Sequence, residues 1–329
     1  MTQRKSAAEI RKGEQHVMVL SEADVERFTI PRDLLDGLIE GFKQVARGEM
    51  QVPARPAITV PGKGFMLSMP AWIPGSPMMV KMVNVFEGNL DLDLPNHLAT
   101  IVLFDEHTGN TLCVMDGTYI TGVRTAASAV VSVEALARAD AKTATLVGAG
   151  VQGREHLGLL PLVREFDKIY ISSLVHEDAV RLADTCPIAE AVENLEEAVR
   201  ASDVVCLASH SYEPVISSDW VRPGTHVSSV GYAPPRGELP MDLIARGRLF
   251  VEDPCAFEPP PVGCAELAGM DASIGHVLGR ELLRSDRPRL NDQEITIYKA
   301  MGIAMEDLVA ARNAYFAAKA AEHPTVAVF

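Results

Sequence analysis

One segment constrains the fold of this chain more than any other. Thr143-Ala-Thr-Leu-Val147 is a short apolar run that leads directly into Gly148-Ala149-Gly150-Val151-Gln152-Gly153, and a helical stretch begins at Arg154. A strand, a G-x-G-x-x-G turn and a helix in that order are the opening of a dinucleotide-binding βαβ unit. Gly148 permits the tight turn. Gly150 lets the backbone approach a pyrophosphate, and Gly153 lets helix and strand pack closely. At the helix start, from Val151 and Gln152 onward, backbone N–H groups without helical partners face the phosphates.

The surrounding rhythm agrees with that unit. From about residue 125, apolar runs at Lys168–Ile171, Val204–Leu207, Thr225–Val230 and Leu249–Val251 alternate with helical segments at Glu177–Ala183 and Asn194–Ala201. Such alternation predicts an α/β Rossmann domain, a doubly wound parallel sheet covered on both faces. The first third reads as α+β instead. Ser21-Glu22-Ala23-Asp24 has capping-box form, and Leu34, Leu35, Leu38, Ile39, Phe42 and Val45 make one apolar helical stripe between Pro31 and Gly48. Short extended pieces follow in 50–82, with strands expected at Thr100–Phe104 and Thr111–Met115 and a small-residue helix at Ala126–Ala139. The last helix, near Met301–Ala321, is placed to fold back onto the first domain. The expected organisation is a substrate-binding and dimerisation domain from 1–124 with 300–329, and a dinucleotide domain from 125–299.

The chain has 329 residues, enough for two domains, and a net charge of −14. That acidity excludes nucleic-acid binding by bulk electrostatics and disfavours an anionic membrane surface. No apolar stretch approaches a membrane span, and Met1-Thr-Gln-Arg-Lys-Ser-Ala has no apolar segment behind it, so a cytoplasmic location is expected. Five widely spaced cysteines, an odd number, point to free thiols and no metal site, although Cys255 and Cys264 leave a metal open. If the protein binds acids, positive charge must be concentrated locally.

Cofactor choice turns on the second strand. In such a unit an acidic residue about 20 residues past the glycines takes the ribose diol. Ser172-Ser173-Leu174 stands there instead, with Ser173 at the diol position. A missing carboxylate removes repulsion against a 2′-phosphate, yet no arginine follows directly; His176 and Arg181 are the nearest cations. The reading is NADP or NAD, with a lean to NADP.

Several ordered motifs resemble the ornithine cyclodeaminase/mu-crystallin family. They include Val52-Pro53-Ala54-Arg55, Met69-Pro70, Val80-Lys81, Asp116-Gly117-Thr118, Thr121-Gly-Val-Arg124-Thr125-Ala-Ala-Ser128, the glycine loop, and Glu294-Ile-Thr296 through Gly302 to Asp307. The resemblance implies a homodimer and a small amino- or imino-acid substrate. It also implies a cationic clamp for the substrate α-carboxylate at Arg55, Lys81 and Arg124, since a planar carboxylate is well held by arginine. Thr125 reads as a helix N-cap, so that Arg124 would sit beside a helix start whose dipole favours an anion. Thr125, Ser209 and Gly231 are expected against the cofactor.

Two departures matter. Where the cyclodeaminases of the family carry an aspartate after the glycine following His226-Val-Ser-Ser-Val230, this chain has Tyr232. Where they carry a glutamate before the Met-Pro motif, Gly64-Phe-Met-Leu-Ser-Met69 has no acid. A phenol is a poor base near neutral pH, so ornithine cyclisation is disfavoured. The expected activity is NAD(P)H-dependent reduction of an α-imino acid or cyclic ketimine, with Lys81 or Tyr232 giving the proton, or Tyr232 merely narrowing the pocket. Alternatives are an ornithine or lysine cyclodeaminase, an alanine-dehydrogenase-type enzyme, and a non-catalytic NADP-binding protein of the mu-crystallin kind.

Overall fold

The computed structural model describes residues 16–92 and 94–327; the segment starting at Met1 that bears on targeting lies outside them. β1 (His16–Leu20) leads into α1 (Glu22–Phe28). The capping box forms: Asp24 N–H donates to Ser21 Oγ at 3.3 Å, and Asp24 Oδ2 accepts from Ser21 N–H at 3.0 Å. α2 (Pro31–Ala46) buries Leu34, Leu35, Leu38 and Phe42, as the stripe requires.

The proline- and glycine-rich stretch becomes β2 (Ala57–Val60), β3 (Gly64–Ala71) and β4 (Met78–Val85), followed by β5 (His97–Phe104) and β6 (Thr111–Asp116). α3 (Thr118–Leu136) begins well before Ala126, because Ile120 and Val123 already belong to its buried side. Then come β7 (Thr143–Val147), α4 (Val151–Leu159), β8 (Lys168–Ser172), α5 (His176–Ala183), β9 (Ala189–Ala191), α6 (Leu195–Ala201), β10 (Val204–Leu207) and β11 (His226–Ser229). The chain ends with α7 (Met241–Ile244), β12 (Arg248–Val251), β13 (Gly275–Val277), α8 (Leu278–Arg284), β14 (Thr296–Lys299), α9 (Ala304–Ala320) and β15 (Thr325–Ala327).

Two compact units result. Unit 1 comprises 1–30, 50–120 and 310–329, and unit 2 comprises 31–49 and 121–309. The boundaries read from the sequence put 31–49, 121–124 and 300–309 with the first unit. Packing explains the difference. Gly41 of α2 backs onto Met305 and Val309, and Gly279 of α8 lies against the Phe42 carbonyl, so α2 is bound to unit 2.

Unit 1 holds a seven-stranded sheet ordered β15-β1-β6-β5-β4-β3-β2, antiparallel except where β1 meets β6. One face is buried through Leu67, Met69, Met79, Val83, Ile101 and Leu103. Unit 2 holds eight parallel strands ordered β13-β12-β14-β11-β10-β7-β8-β9, the doubly wound sheet expected from the alternation. All residues of β10, β11 and β14 are buried, as in a sheet covered on both faces. The strand order reverses between β7 and β10, and ligands of such sheets bind at the carboxyl ends of the strands at that reversal.

Candidate active site

The glycine loop lies at the reversal point. Gly148 has φ +118°, a conformation side chains rarely adopt, and a Cβ there would strike the carbonyl of Ala208 at the end of β10. Gly153 is equally restricted, because its Cβ would strike the Gly148 carbonyl. Gly150 differs: nothing lies within 4 Å of the position a Cβ would take. Packing therefore needs Gly148 and Gly153, whereas the opening at Gly150 is room left beside the backbone. Gly150 is also the N-cap of α4 and supplies no side-chain cap, so the first N–H groups, at Val151 and Gln152, are not satisfied by a capping side chain. This arrangement fits a dinucleotide pyrophosphate. Gln152 points elsewhere; its Nε2 donates to the Gly122 carbonyl at 3.2 Å and ties α4 to α3.

Ser173 follows β8 and is half-buried beside the fully exposed Leu174. Arg181 is taken up in an ion pair with Asp178. Ser209 and Gly231 stand just past the carboxyl ends of β10 and β11, and Tyr232, half-buried, follows Gly231. The loop, Ser173, Ser209, Gly231, Tyr232, Arg124 and Thr125 all belong to unit 2; Arg55 and Lys81 belong to unit 1.

Arg124 requires a correction. It does not precede a helix start but lies inside α3, which begins at Thr118, so Thr125 is no N-cap and no helix dipole assists an anion there. Arg124 is 5% exposed and is held by acids instead. Its Nε donates to Asp307 Oδ1 at 3.0 Å and its Nη1 to Glu306 Oε2 at 2.7 Å. Nη2 makes no hydrogen bond among the described residues. Burial opposes the guanidinium charge, but Asp307 and then Glu306 outweigh it, and the pKa is raised further. Gly302 packs flat on the guanidinium with φ +73°; any side chain there would strike Nη1.

Behind Arg124 lies a buried polar cluster that the sequence reading missed. Glu252 Oε1 accepts from the Tyr298 hydroxyl at 3.0 Å, and its Oε2 accepts from the Met301 and Gly302 N–H groups at 3.0 and 2.8 Å. Ser128 Oγ is 2.5 Å from the Tyr298 hydroxyl and 3.4 Å from Glu306 Oε1. Burial, then the Glu252 charge, pushes the Glu306 carboxyl well above the usual carboxylate range. A signal existed: Arg124, Ser128 and Ser132 recur every four residues in an Ala/Val helix, a polar stripe on one face. All three are buried, and Ser132 meets His226 Nε2 at 3.0 Å.

In unit 1, Lys81 sits on the buried face of β4, fully enclosed and paired in register with Met69. Ser68 N–H donates to the Pro56 carbonyl at 3.1 Å, which extends the β2–β3 register by one residue. Arg55, half-buried, lies in the unpaired stretch between that contact and the isolated bridge of Gln51 with Trp72. No acid stands in 64–69. Among the described residues, no group of histidine, cysteine and acidic side chains could hold a metal ion.

A parallel-sheet unit with a glycine loop at its reversal point, together with an antiparallel-sheet unit that buries Lys81, defines a two-unit dinucleotide-binding protein. The chain belongs to the ornithine cyclodeaminase/mu-crystallin family, whose model matches residues 15–322. It is 30% identical over 287 residues to the ketimine reductase mu-crystallin of Mus musculus, covering 85% of this chain and 90% of that one. The solved Δ1-pyrroline-2-carboxylate reductase of Thermococcus litoralis, in complex with NADH and L-proline, is 29% identical with a TM-score of 0.86, covering 95% of this chain and all of that one. An archaeal alanine dehydrogenase dimer with bound NAD is 26% identical with a TM-score of 0.87, covering 96% of this chain and all of that one.

Proposed function

We propose that this protein uses NADPH or NADH to reduce the C=N bond of an α-imino acid or cyclic ketimine, of the pyrroline-2-carboxylate type, to the amino acid. The observation that carries this reading is the open Gly150 cradle at the uncapped start of α4, in a chain of this family. When bound, the reduced nicotinamide supplies the hydride and is oxidised as the imine carbon gains it. Gly148, Gly150, Val151, Gln152 and Gly153 form the pyrophosphate cradle, and Ser173 meets the ribose with no carboxylate to repel a 2′-phosphate. Thr125, Ser209 and Gly231 line the nicotinamide half.

Arg55, Lys81 and Arg124 hold the substrate carboxylate, Arg124 through Nη2, since Asp307 and Glu306 occupy Nε and Nη1. Acids behind the guanidinium fix its direction and leave one donor aimed outward. As hydride reaches carbon, the imine nitrogen must gain a proton. The Lys81 ammonium or the Tyr232 hydroxyl donates it and is reprotonated from solvent. The rate comes from positioning the substrate against the cofactor and from the cationic clamp. With Tyr232 in place of an aspartate and no acid in 64–69, the diamine chemistry of a cyclodeaminase lacks its carboxylates.

The outer face of the unit 1 sheet supports a homodimer: Val19, Ile58, Val60, Met82 and Leu98 share it and are exposed. Five free cysteines support a reducing, cytoplasmic location. A panel of cyclic imines, and of α-keto acids with ammonia, tests the activity by loss of nicotinamide absorbance. Steady oxidation of NADPH or NADH with an imine supports the reading. Ammonia release from ornithine with no net cofactor change overturns it, and cofactor binding without turnover of any imine points to a binding protein.

A further inference from the structure

The carboxyl ends of β10 and β11 meet on one buried carboxylate. Glu238 is fully enclosed. Its Oε2 accepts from the Ser209 N–H at 2.7 Å and the Ser209 hydroxyl at 2.6 Å. Its Oε1 accepts from the Gly231 N–H at 2.7 Å and the Ser229 hydroxyl at 2.9 Å. Four donors thus converge on two oxygens, two of them backbone N–H groups of residues expected at the nicotinamide. The loop carrying Tyr232 begins at Gly231 and returns at Glu238, so a single side chain closes it at both ends.

Neighbouring residues are shaped around this pin. A Cβ at Gly231 would come within 2.6 Å of both the Glu238 carboxyl carbon and the Ser209 carbonyl, so no side chain fits. Gly237, at φ +87°, packs on the second buried acid, Glu266. Lys299, at the end of β14 and buried, donates to the Ser229 hydroxyl at 3.1 Å and to the Gly231 carbonyl at 2.7 Å, and forms an ion pair with Glu266 at 2.9 Å. Burial works against the Lys299 ammonium, but Glu266 heads the neighbours that outweigh it and raise its pKa.

Only a carboxylate satisfies this geometry. A hydroxyl can rotate to accept, but a backbone N–H cannot. An amide at position 238 has one oxygen and one NH2 group; whichever way it points, either Ser209 N–H or Gly231 N–H faces a donor. The charge is therefore required by the two backbone groups, and a neutral residue of the same shape would leave one of them unsatisfied in a buried site.

We infer that Glu238 is a positioning residue for hydride transfer: it holds Ser209, Gly231 and the Tyr232 loop in the arrangement that presents the ends of β10 and β11 to the nicotinamide. This rests on the reductase reading above. Glu238 touches neither substrate nor cofactor and acts through these residues, with Lys299 bracing the opposite side of Gly231.

The test compares Glu238→Gln with the wild-type full-length chain by three measurements. Amide hydrogen exchange without cofactor reads the pin itself; NADH titration reads cofactor binding; steady-state kinetics on pyrroline-2-carboxylate reads the reaction. The inference expects faster exchange confined to about residues 205–238, an NADH Kd changed less than about threefold, and a kcat lowered about 10- to 100-fold with substrate KM nearly unchanged, the size expected for one lost charge-assisted bond. A kcat within about twofold of wild type, unchanged exchange in that segment, or a loss carried by KM alone would overturn it. If Glu238→Gln does not fold, Ser229→Ala decides, because it removes one neutral donor to the same oxygen. A several-fold lower kcat with Kd unchanged sustains the inference, and wild-type kcat overturns it. Should the wild type reduce no imine, the reductase reading fails by itself, and the exchange measurement still decides whether Glu238 pins the two strand ends.

Discussion

Glu306 stands directly behind Arg124: its Oε2 lies 2.7 Å from Nη1 of the arginine, and both side chains are buried. An arginine in a chain with a net charge of −14 could have been a solvated surface cation. Here two of its donor nitrogens are fastened to acids, and its direction is set before any ligand arrives. Pre-set direction removes the ordering cost that a flexible cation would incur on binding.

Loosening that fastening should weaken substrate binding specifically. Asp307→Asn is expected to raise the substrate KM about tenfold, because the bond that holds Arg124 Nε becomes a neutral one. Arg124→Ala should raise it about 100-fold. Neither should change NADH affinity more than about twofold, as measured by fluorescence titration. Wild-type kinetics for Arg124→Ala would remove that residue from the clamp.

The two glycines with opposite surroundings should separate stability from binding. Gly150→Ala adds a methyl to open space and should leave the melting temperature unchanged while raising the dinucleotide Kd at least tenfold. Gly153→Ala forces a methyl against the Gly148 carbonyl and should destabilise by about 2 kcal/mol. Thermal melts with and without NADH measure both.

Acid sensitivity should come from two buried histidines. Burial, reinforced for His226 by Arg289 and Arg164, depresses His226 to about 3, and burial depresses His156 to about 4, from an ordinary value of 6.5. Because the folded values are lowered, the neutral rings contribute stability that is fully present above 6.5. It is lost as pH falls from 6.5 toward the folded values, where the unfolded chain binds protons that the native rings refuse. Each ring contributes a slope of about 1.4 kcal/mol per pH unit in that window. His226→Gln, which keeps partners for Ser132 and Thr296, should remove its share of the slope in urea melts at about pH 7 and about pH 5.

Cofactor preference should respond to one position. Ser173→Asp restores a carboxylate for the ribose diol and should lower NADPH affinity at least tenfold relative to NADH. Equal ratios before and after the change would place the 2′ position elsewhere.

The glycine loop and the strands around it were legible because each rests on local chemistry. Thr143–Val147 and Val204–Leu207 are strands over the residues the apolar runs marked. β14 escaped: Thr296–Lys299 is four buried residues containing Thr, Tyr and Lys, with no apolar run and no alternation to read. The start of α3 was misplaced because Thr118-Tyr-Ile-Thr-Gly-Val precedes the small-residue run and mixes helix-weak types. Glu238, Glu252 and Lys299 were invisible for another reason. Their partners are brought close only by the parallel sheet, as Lys299 reaches Ser229 through the β11–β14 register. Arg55 and Lys81 were legible only through family motifs; the β3–β4 register puts Lys81 opposite Met69, while Arg55 precedes β2 in an unpaired stretch.

The central claim is a net hydride transfer to an imine carbon. Its most direct measurement is reduction of pyrroline-2-carboxylate with NADPH or NADH deuterated at C4 of the transferred face, with the product read by mass spectrometry. The account predicts proline carrying one deuterium at Cα and one cofactor oxidised per product. Proline without deuterium, or formed without cofactor oxidation, would contradict it.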